Sequence, residues 1–233
     1  FLLRRQRQMC IRDRNHSVKF IVIVNPNNPT GNVAKPSTIK EVLSIARDWP
    51  NCTVIADEIY DALDFSGDQR SVASLSDEVP VVTLNGVSKV HFAPGWRIGY
   101  MAFFDPRGTL GAPRDGVERI LRSRLCASTP AQYGYLAGLE HDRLWLKERL
   151  RVIERKVELC MNRIEGIEGL SCNRPGGAFY LFPKIKNPLK YGSDKKFVLD
   201  LLHEEHVLVV HGSGFSPQYL SLIHISEPTR HTS

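Results

Sequence analysis

Short continuous apolar runs alternate with an amphipathic stretch along the first half of the chain. Lys19–Val24 (KFIVIV), Thr53–Ala56 and Val79–Leu84 are rich in β-branched residues and lack the polar alternation of a half-exposed strand. Each therefore predicts a buried strand, and Arg97–Phe104 predicts a fourth. Between the first two runs, Ile39, Val42, Leu43 and Ala46 recur at helical spacing, with Thr38 and Glu41 placed as a capping box. Strand–helix–strand with apolar strands predicts an α/β fold with a mainly parallel sheet covered on both faces. In such sheets ligands gather beyond the carboxyl ends of the strands. Asn28, Asp57 and Lys89 each follow a predicted strand end, so the topology delivers them to one edge.

The second half changes character. Gly116–Ser128 and Pro130–Leu139 read as helices. A long helix is predicted over Arg143–Ile164, where Leu146, Leu150, Ile153, Val157, Cys160 and Ile164 alternate spacings of four and three. Such a seam suits a coiled coil or a helix lying on a core; over only about three heptads the second is favoured. Short strands at Leu170–Cys172, Ala178–Phe182 and Val207–Val210 around a helix from Asp194 to His203 predict a second, smaller α+β domain.

Composition adds little. The 233 residues are 42% hydrophobic and 24% charged, an ordinary globular balance. No apolar run approaches the roughly 18 residues of a membrane span. The formal charge of +6 is unevenly placed: five arginines and one aspartate in residues 1–14 carry +4, Glu227 and Arg230 cancel in 221–233, and +2 is left for 15–220. That gives no argument for a nucleic-acid partner. Cys52, Cys126, Cys160 and Cys172 form no Cys-x-x-Cys pair and suggest neither a zinc site nor a disulfide framework; they read as reduced thiols of a cytoplasmic protein.

The two ends share an oddity. One DNA spelling of Met9-Cys10-Ile11-Arg12-Asp13, extended into Arg14, is the reverse complement of one spelling of Leu220-Ser221-Leu222-Ile223-His224, extended into Ile225. That string resembles a transposon-end sequencing adapter, so residues 1–14 and 220–233 are expected to be non-native, with the natural sequence running from about Asn15 to Tyr219.

The candidate chemistry centres on Ser88-Lys89 and Arg97, eight residues apart in a segment of small and turn-forming residues. Lysine forms a Schiff base with an aldehyde. Arginine forks two donors onto a phosphate. Other candidates are weaker. His203 and His206 flank two glutamates, and two ligands do not make a metal site. His211-Gly212-Ser213-Gly214 carries a Gly-x-Gly with no helix evident after it, which removes the dinucleotide-loop reading.

Four motifs occur in order: Asn25-Pro26-Asn27-Asn28-Pro29-Thr30-Gly31, Ala56-Asp57-Glu58-Ile59-Tyr60, Ser88-Lys89 with Arg97, and Gly176-Gly177-Ala178-Phe179-Tyr180. In this order they resemble the class I/II pyridoxal-phosphate-dependent aminotransferases of fold type I. The wording around Lys89 is most similar to bacterial and archaeal alanine aminotransferases. The resemblance implies that Lys89 carries pyridoxal 5'-phosphate and moves the substrate proton. It implies that Asp57 pairs with the ring nitrogen, Asn28 and Tyr60 bond the ring oxygen, and Arg97, with Ser88 beside it, binds the phosphate. Related enzymes often carry a serine three residues before the lysine; here that position is Gly86. By the same resemblance residues 15–140 are the C-terminal part of the cofactor-binding large domain, and 141–219 the interdomain helix and small domain. The implied reaction moves an amino group between L-alanine and 2-oxoglutarate in a cytoplasmic homodimer, with no nucleic-acid or membrane partner. Similar enzymes carry more sequence at both ends, so the chain is expected to be an inactive piece of a longer parent. A carbon–sulfur β-lyase on the same scaffold and a non-catalytic aminotransferase-like module remain alternatives.

Overall fold

The computed structural model describes residues 18–141, 144–186, 191–215 and 223–224. The adapter-like ends and Arg143 thus lie outside the described residues, apart from Ile223–His224.

Four strands make the main sheet: β1 (Phe20–Val24), β2 (Thr53–Asp57), β3 (Val81–Gly86) and β4 (Gly99–Phe104), in that spatial order. The first three are parallel and β4 returns antiparallel. The crossover from β1 to β2 contains α1 (Pro36–Arg47). It starts two residues before the expected capping box. Pro36 occupies the first helical turn, where its missing N–H costs nothing. Ile39, Leu43 and Ala46 of α1 bury against Val54 and Ala56 of β2 and Val81 of β3, with Ile21 and Ile23 of β1 beside them.

Coverage on both faces is not general. Phe20 and Val22 on the other face of β1 are 59% and 60% exposed, and Met101 of β4 is also exposed. β1 is also an edge strand among the described residues, and α1 packs on the face that carries Ile21 and Ile23.

After β4 come α2 (Gly111–Arg124), α3 (Thr129–Glu140) and α4 (Leu144–Glu165). The long helix lies on a core. Leu146, Ile153, Val157, Met161 and Ile164 of α4 bury against Tyr60, Leu63, Val90, Ala178, Tyr180 and Leu181. This cluster joins the end of the sheet to the later part of the chain.

The last unit pairs β5 (Leu170–Ser171) with β6 (Lys184–Ile185), followed by α5 (Asp194–Glu205) and β7 (Val210–His211), which pairs with β8 (Ile223–His224). The Ser193 Oγ accepts from the Lys196 N–H at 3.0 Å and caps α5. Ile185, Val198 and Val209 form a small core here. The expected strand over Ala178–Phe182 is instead a turn: Ala178 has φ +58°, which no extended strand accommodates.

Candidate active site

The turn after β1 is built from asparagine side chains. Asn25 is buried; its N–H reaches the Asp57 carbonyl at 3.1 Å and its Oδ1 accepts from the Ala34 N–H at 2.8 Å. Asn27 Oδ1 accepts from both the N–H and the hydroxyl of Thr30, at 3.2 and 2.7 Å. The side-chain bond that shapes this turn therefore falls on Asn27. That leaves the Asn28 amide to donate to the Tyr60 hydroxyl, 3.4 Å away.

At the end of β2, Asp57 Oδ1 accepts from the Ile59 N–H at 3.2 Å, which turns the chain sharply toward Tyr60. The neighbouring Glu58 is only 4% exposed. Its carboxyl accepts from the Val72 N–H at 2.7 Å and the Ser71 hydroxyl at 3.1 Å, and burial pushes its pKa up against those bonds. Tyr60 is buried with its hydroxyl 2.5 Å from that of Tyr180. Burial raises the pKa of both phenols, so both are protonated at neutral pH.

Lys89 stands half-buried in the turn after β3. Its Nζ lies 5.8 Å from the Tyr60 ring centroid and 5.7 Å from that of Phe179, within the range of cation–π attraction. The structure thus brings Asn28, Tyr60 and Lys89 together, with Asp57 close enough to act on Tyr60 electrostatically. Ser88 is half-buried beside Lys89. Gly86 has a packing reason: a Cβ there would lie 2.7 Å from the Ile98 carbonyl oxygen and 2.9 Å from Gly99 Cα. A serine does not fit where β3 and β4 approach so closely.

Arg97 follows a 3-10 turn over Pro94–Trp96 and has φ +53°. Its side chain is exposed, with Nη1 donating to the Pro94 carbonyl at 2.9 Å. No hydrogen bond or ring contact among the described residues joins Arg97 to Lys89 or Tyr60. Its turn is anchored on α3, where the Trp96 ring lies across Gly134, 2.5 Å from where a Cβ would stand.

The fourth motif closes the cluster from far along the chain. The Gly176 and Gly177 N–H groups both reach the Gly31 carbonyl, at 2.9 and 3.0 Å. The Ala178 N–H donates to the Leu63 carbonyl at 2.7 Å, and the Phe65 N–H to that of Gly176 at 3.0 Å. Such close backbone contact excludes side chains: a Cβ on Gly177 would sit 2.5 Å from the Leu63 oxygen. Phe179 and Tyr180, part of a motif but given no site role by sequence reasoning, are delivered onto Tyr60 with ring centroids 5.8 and 5.5 Å away. Sequence reasoning gives Glu58 no role either; its place between Asp57 and Tyr60 is the signal that could have found it.

Comparison with known proteins bears on the family and the fold. The sequence profile of the family described as "Aminotransferase class I and II" matches residues 8–225. The chain is 37% identical over 217 residues to glutamate-pyruvate aminotransferase AlaA of Haemophilus influenzae, covering 90% of this chain and 53% of that one. It is 32% identical over 214 residues to alanine aminotransferase of Mycobacterium tuberculosis, covering 88% and 49%. The solved alanine aminotransferase from Pyrococcus furiosus superposes with a TM-score of 0.88 at 42% identity, covering 93% of this chain and 55% of that chain. The chain spans about half the length of the curated relatives it matches.

Proposed function

The chain belongs to the class I and II aminotransferases, and we propose that the protein it represents transfers an amino group between L-alanine and 2-oxoglutarate. Its fold is that of the fold-type I enzymes, and the cofactor of this family is pyridoxal phosphate. The observation that carries the reading is the meeting of the Asn28 amide, the Tyr60 hydroxyl and the Lys89 amine, brought from the ends of three neighbouring strands.

The residues fit the group. An amine for the aldehyde stands beside two hydrogen-bonding groups that converge within 3.4 Å of one another, as a ring oxygen next to that aldehyde requires. Asp57 has only its Oδ1 engaged by Ile59 among the described residues, so its carboxylate retains acceptor capacity for a ring N–H. When bound, pyridoxal phosphate supplies the electron sink that makes the substrate Cα–H acidic. Lys89 anchors the cofactor and then carries the proton at the substrate Cα as general base and acid. Asp57 holds the proton on the ring nitrogen. Asn28 and Tyr60 fix the ring oxygen. Arg97 has further N–H donors beyond the one given to Pro94, which suits a phosphate, and the Ser88 hydroxyl adds one more.

The choice of alanine and 2-oxoglutarate rests on the glutamate-pyruvate and alanine aminotransferase relatives. A cytoplasmic homodimer completes the reading; no helix among the described residues is long and apolar enough to cross a membrane. The test is an absorption spectrum of the full-length protein with pyridoxal phosphate, wild type beside Lys89→Ala, followed by an assay of pyruvate formed from L-alanine and 2-oxoglutarate. A visible band that depends on Lys89 and changes on adding L-alanine is the expected result. Spectra identical to free cofactor for both proteins would refute it.

A further inference from the structure

Two rings of the loop that runs from Lys89 to Arg97 are seated on one helix. Trp96 lies on Gly134 of α3 and His91 on Gly138, where an added Cβ would stand 2.5 and 3.1 Å from the nearest ring atoms. Gly134 and Gly138 are one helical turn apart, so both seats open on the same side of α3. His91 also meets Tyr135 of α3 and Trp145 of α4, with ring centroids 5.4 and 6.1 Å away. Each seated ring is followed directly by a left-handed residue: Phe92 has φ +52° and Arg97 has φ +53°. Neither is glycine, so each conformation costs free energy that the surroundings must offset. The loop's own backbone bonds are long, with Phe92 to Lys89 at 3.2 Å, Ala93 to Val87 at 3.3 Å and Trp96 to Ala93 at 3.2 Å. The seats on α3 add packing at the two strained points.

We propose that Gly134 and Trp96 are positioning residues for the phosphate end of the site: the bare Gly134 backbone lets the Trp96 ring lie on α3, and this holds Arg97 in its turn at a set distance from Lys89. The inference rests on the aminotransferase reading, in which Lys89 takes the aldehyde and Arg97 the phosphate of one molecule, so their separation decides whether both ends are held at once. Arg97 bonds back to the Pro94 carbonyl, within its own turn, so the guanidinium moves as the turn moves. An added methyl on Gly134 meets the far edge of the indole, Cζ3 and Cη2. Trp96 is 50% exposed, so the ring can swing out while α3 stays helical. Alanine is also the better helix former, which separates a displaced Arg97 from a weakened helix.

The experiment compares two ligands on the full-length protein: pyridoxal phosphate, and pyridoxal, which lacks the phosphate. Both are followed by the Lys89-dependent visible band. Inorganic phosphate is followed separately, as the rise it gives in the melting temperature of the cofactor-free protein, with Arg97→Ala marking the part due to Arg97. Gly134→Ala is expected to weaken pyridoxal phosphate about tenfold and to shrink the response to phosphate, with pyridoxal unchanged. Trp96→Phe, whose shorter ring clears the added methyl, is expected to restore phosphate-dependent affinity in the Gly134→Ala background. If Gly134→Ala does not fold, Trp96→Ala empties the seat without touching the helix and is expected to show the same phosphate-selective loss. Equal losses for pyridoxal and pyridoxal phosphate mark a merely structural role and overturn the proposal. Wild-type affinity in Gly134→Ala, or a loss that Trp96→Phe does not relieve, overturns it too. A wild-type protein with no Lys89-dependent visible band for either ligand overturns the aminotransferase reading instead, while the response to inorganic phosphate still decides whether Gly134 and Trp96 place Arg97.

Discussion

Burial holds the Glu58 carboxyl above its ordinary value, with Asp61 and Asp57 adding repulsion and the bonds from Val72 and Ser71 opposing it. Folding therefore favours the protonated form relative to the unfolded chain. Its contribution to stability is fully present below the ordinary glutamate range and is lost as pH rises through the raised folded value. Glu58→Gln keeps an acceptor oxygen for Val72 and removes the titration. Urea midpoints of wild type and variant, compared from pH 4 to 8, are expected to shift against the wild type as pH rises; a constant difference would refute the assignment. Lys89→Ala is expected to lower amino transfer by at least about 10²–10⁴-fold, the range for a lost general acid–base group, in a single-turnover assay. The placement of Asn28, Asp57 and Lys89 was legible because each lies at or just after the end of a strand whose apolar run is plain in sequence. The bond of Asn27 to Thr30, the role of Glu58 toward Val72 and the meeting of Tyr60 with Tyr180 were not, because each depends on which group the folded chain places opposite.

Glycine positions carry the joints between elements, and their costs separate cleanly. Gly177→Ala pushes a Cβ to 2.5 Å from the Leu63 carbonyl and 2.9 Å from the Val33 side chain. Overpacking of that kind costs about 1–3 kcal/mol, read as a lower denaturant midpoint, and it also disturbs the turn that brings Phe179 to Lys89 and Tyr180 to Tyr60. Gly116, inside α2, has a helical backbone and nothing within 4 Å of the place a methyl group would take. Gly116→Ala is expected to raise stability by roughly 0.5–1 kcal/mol, since alanine loses less backbone entropy in a helix. Elements with a strong period were read correctly as to type, as α1 and α4 show. Those decided by long-range bridges were not: Ala178–Phe182 has a strand's composition, yet its backbone is committed to Leu63 and it turns at Ala178.

At the scale of the molecule, the parallel order of β1, β2 and β3 was legible from strand–helix–strand patterning, but the extent of coverage was not. A continuous apolar run states that both faces want burial; it does not state what supplies the cover. In register, Ile21 and Ile23 align with Val54 and Ala56 on the α1 side, so Phe20 and Val22 point to the other face. There they are 59% and 60% exposed, on an edge strand whose outer backbone groups pair with no further strand among the described residues. An exposed apolar edge of this kind templates pairing with another chain. The 233-residue chain is therefore expected to self-associate, seen as species heavier than a monomer in sedimentation velocity. The double substitution Phe20→Lys with Val22→Glu is expected to shift the distribution toward monomer while leaving the α1 side packed, because neither side chain belongs to that core. A wild-type chain that sediments as a monomer at tens of micromolar, or a double variant with an unchanged distribution, would show that the edge does not drive association.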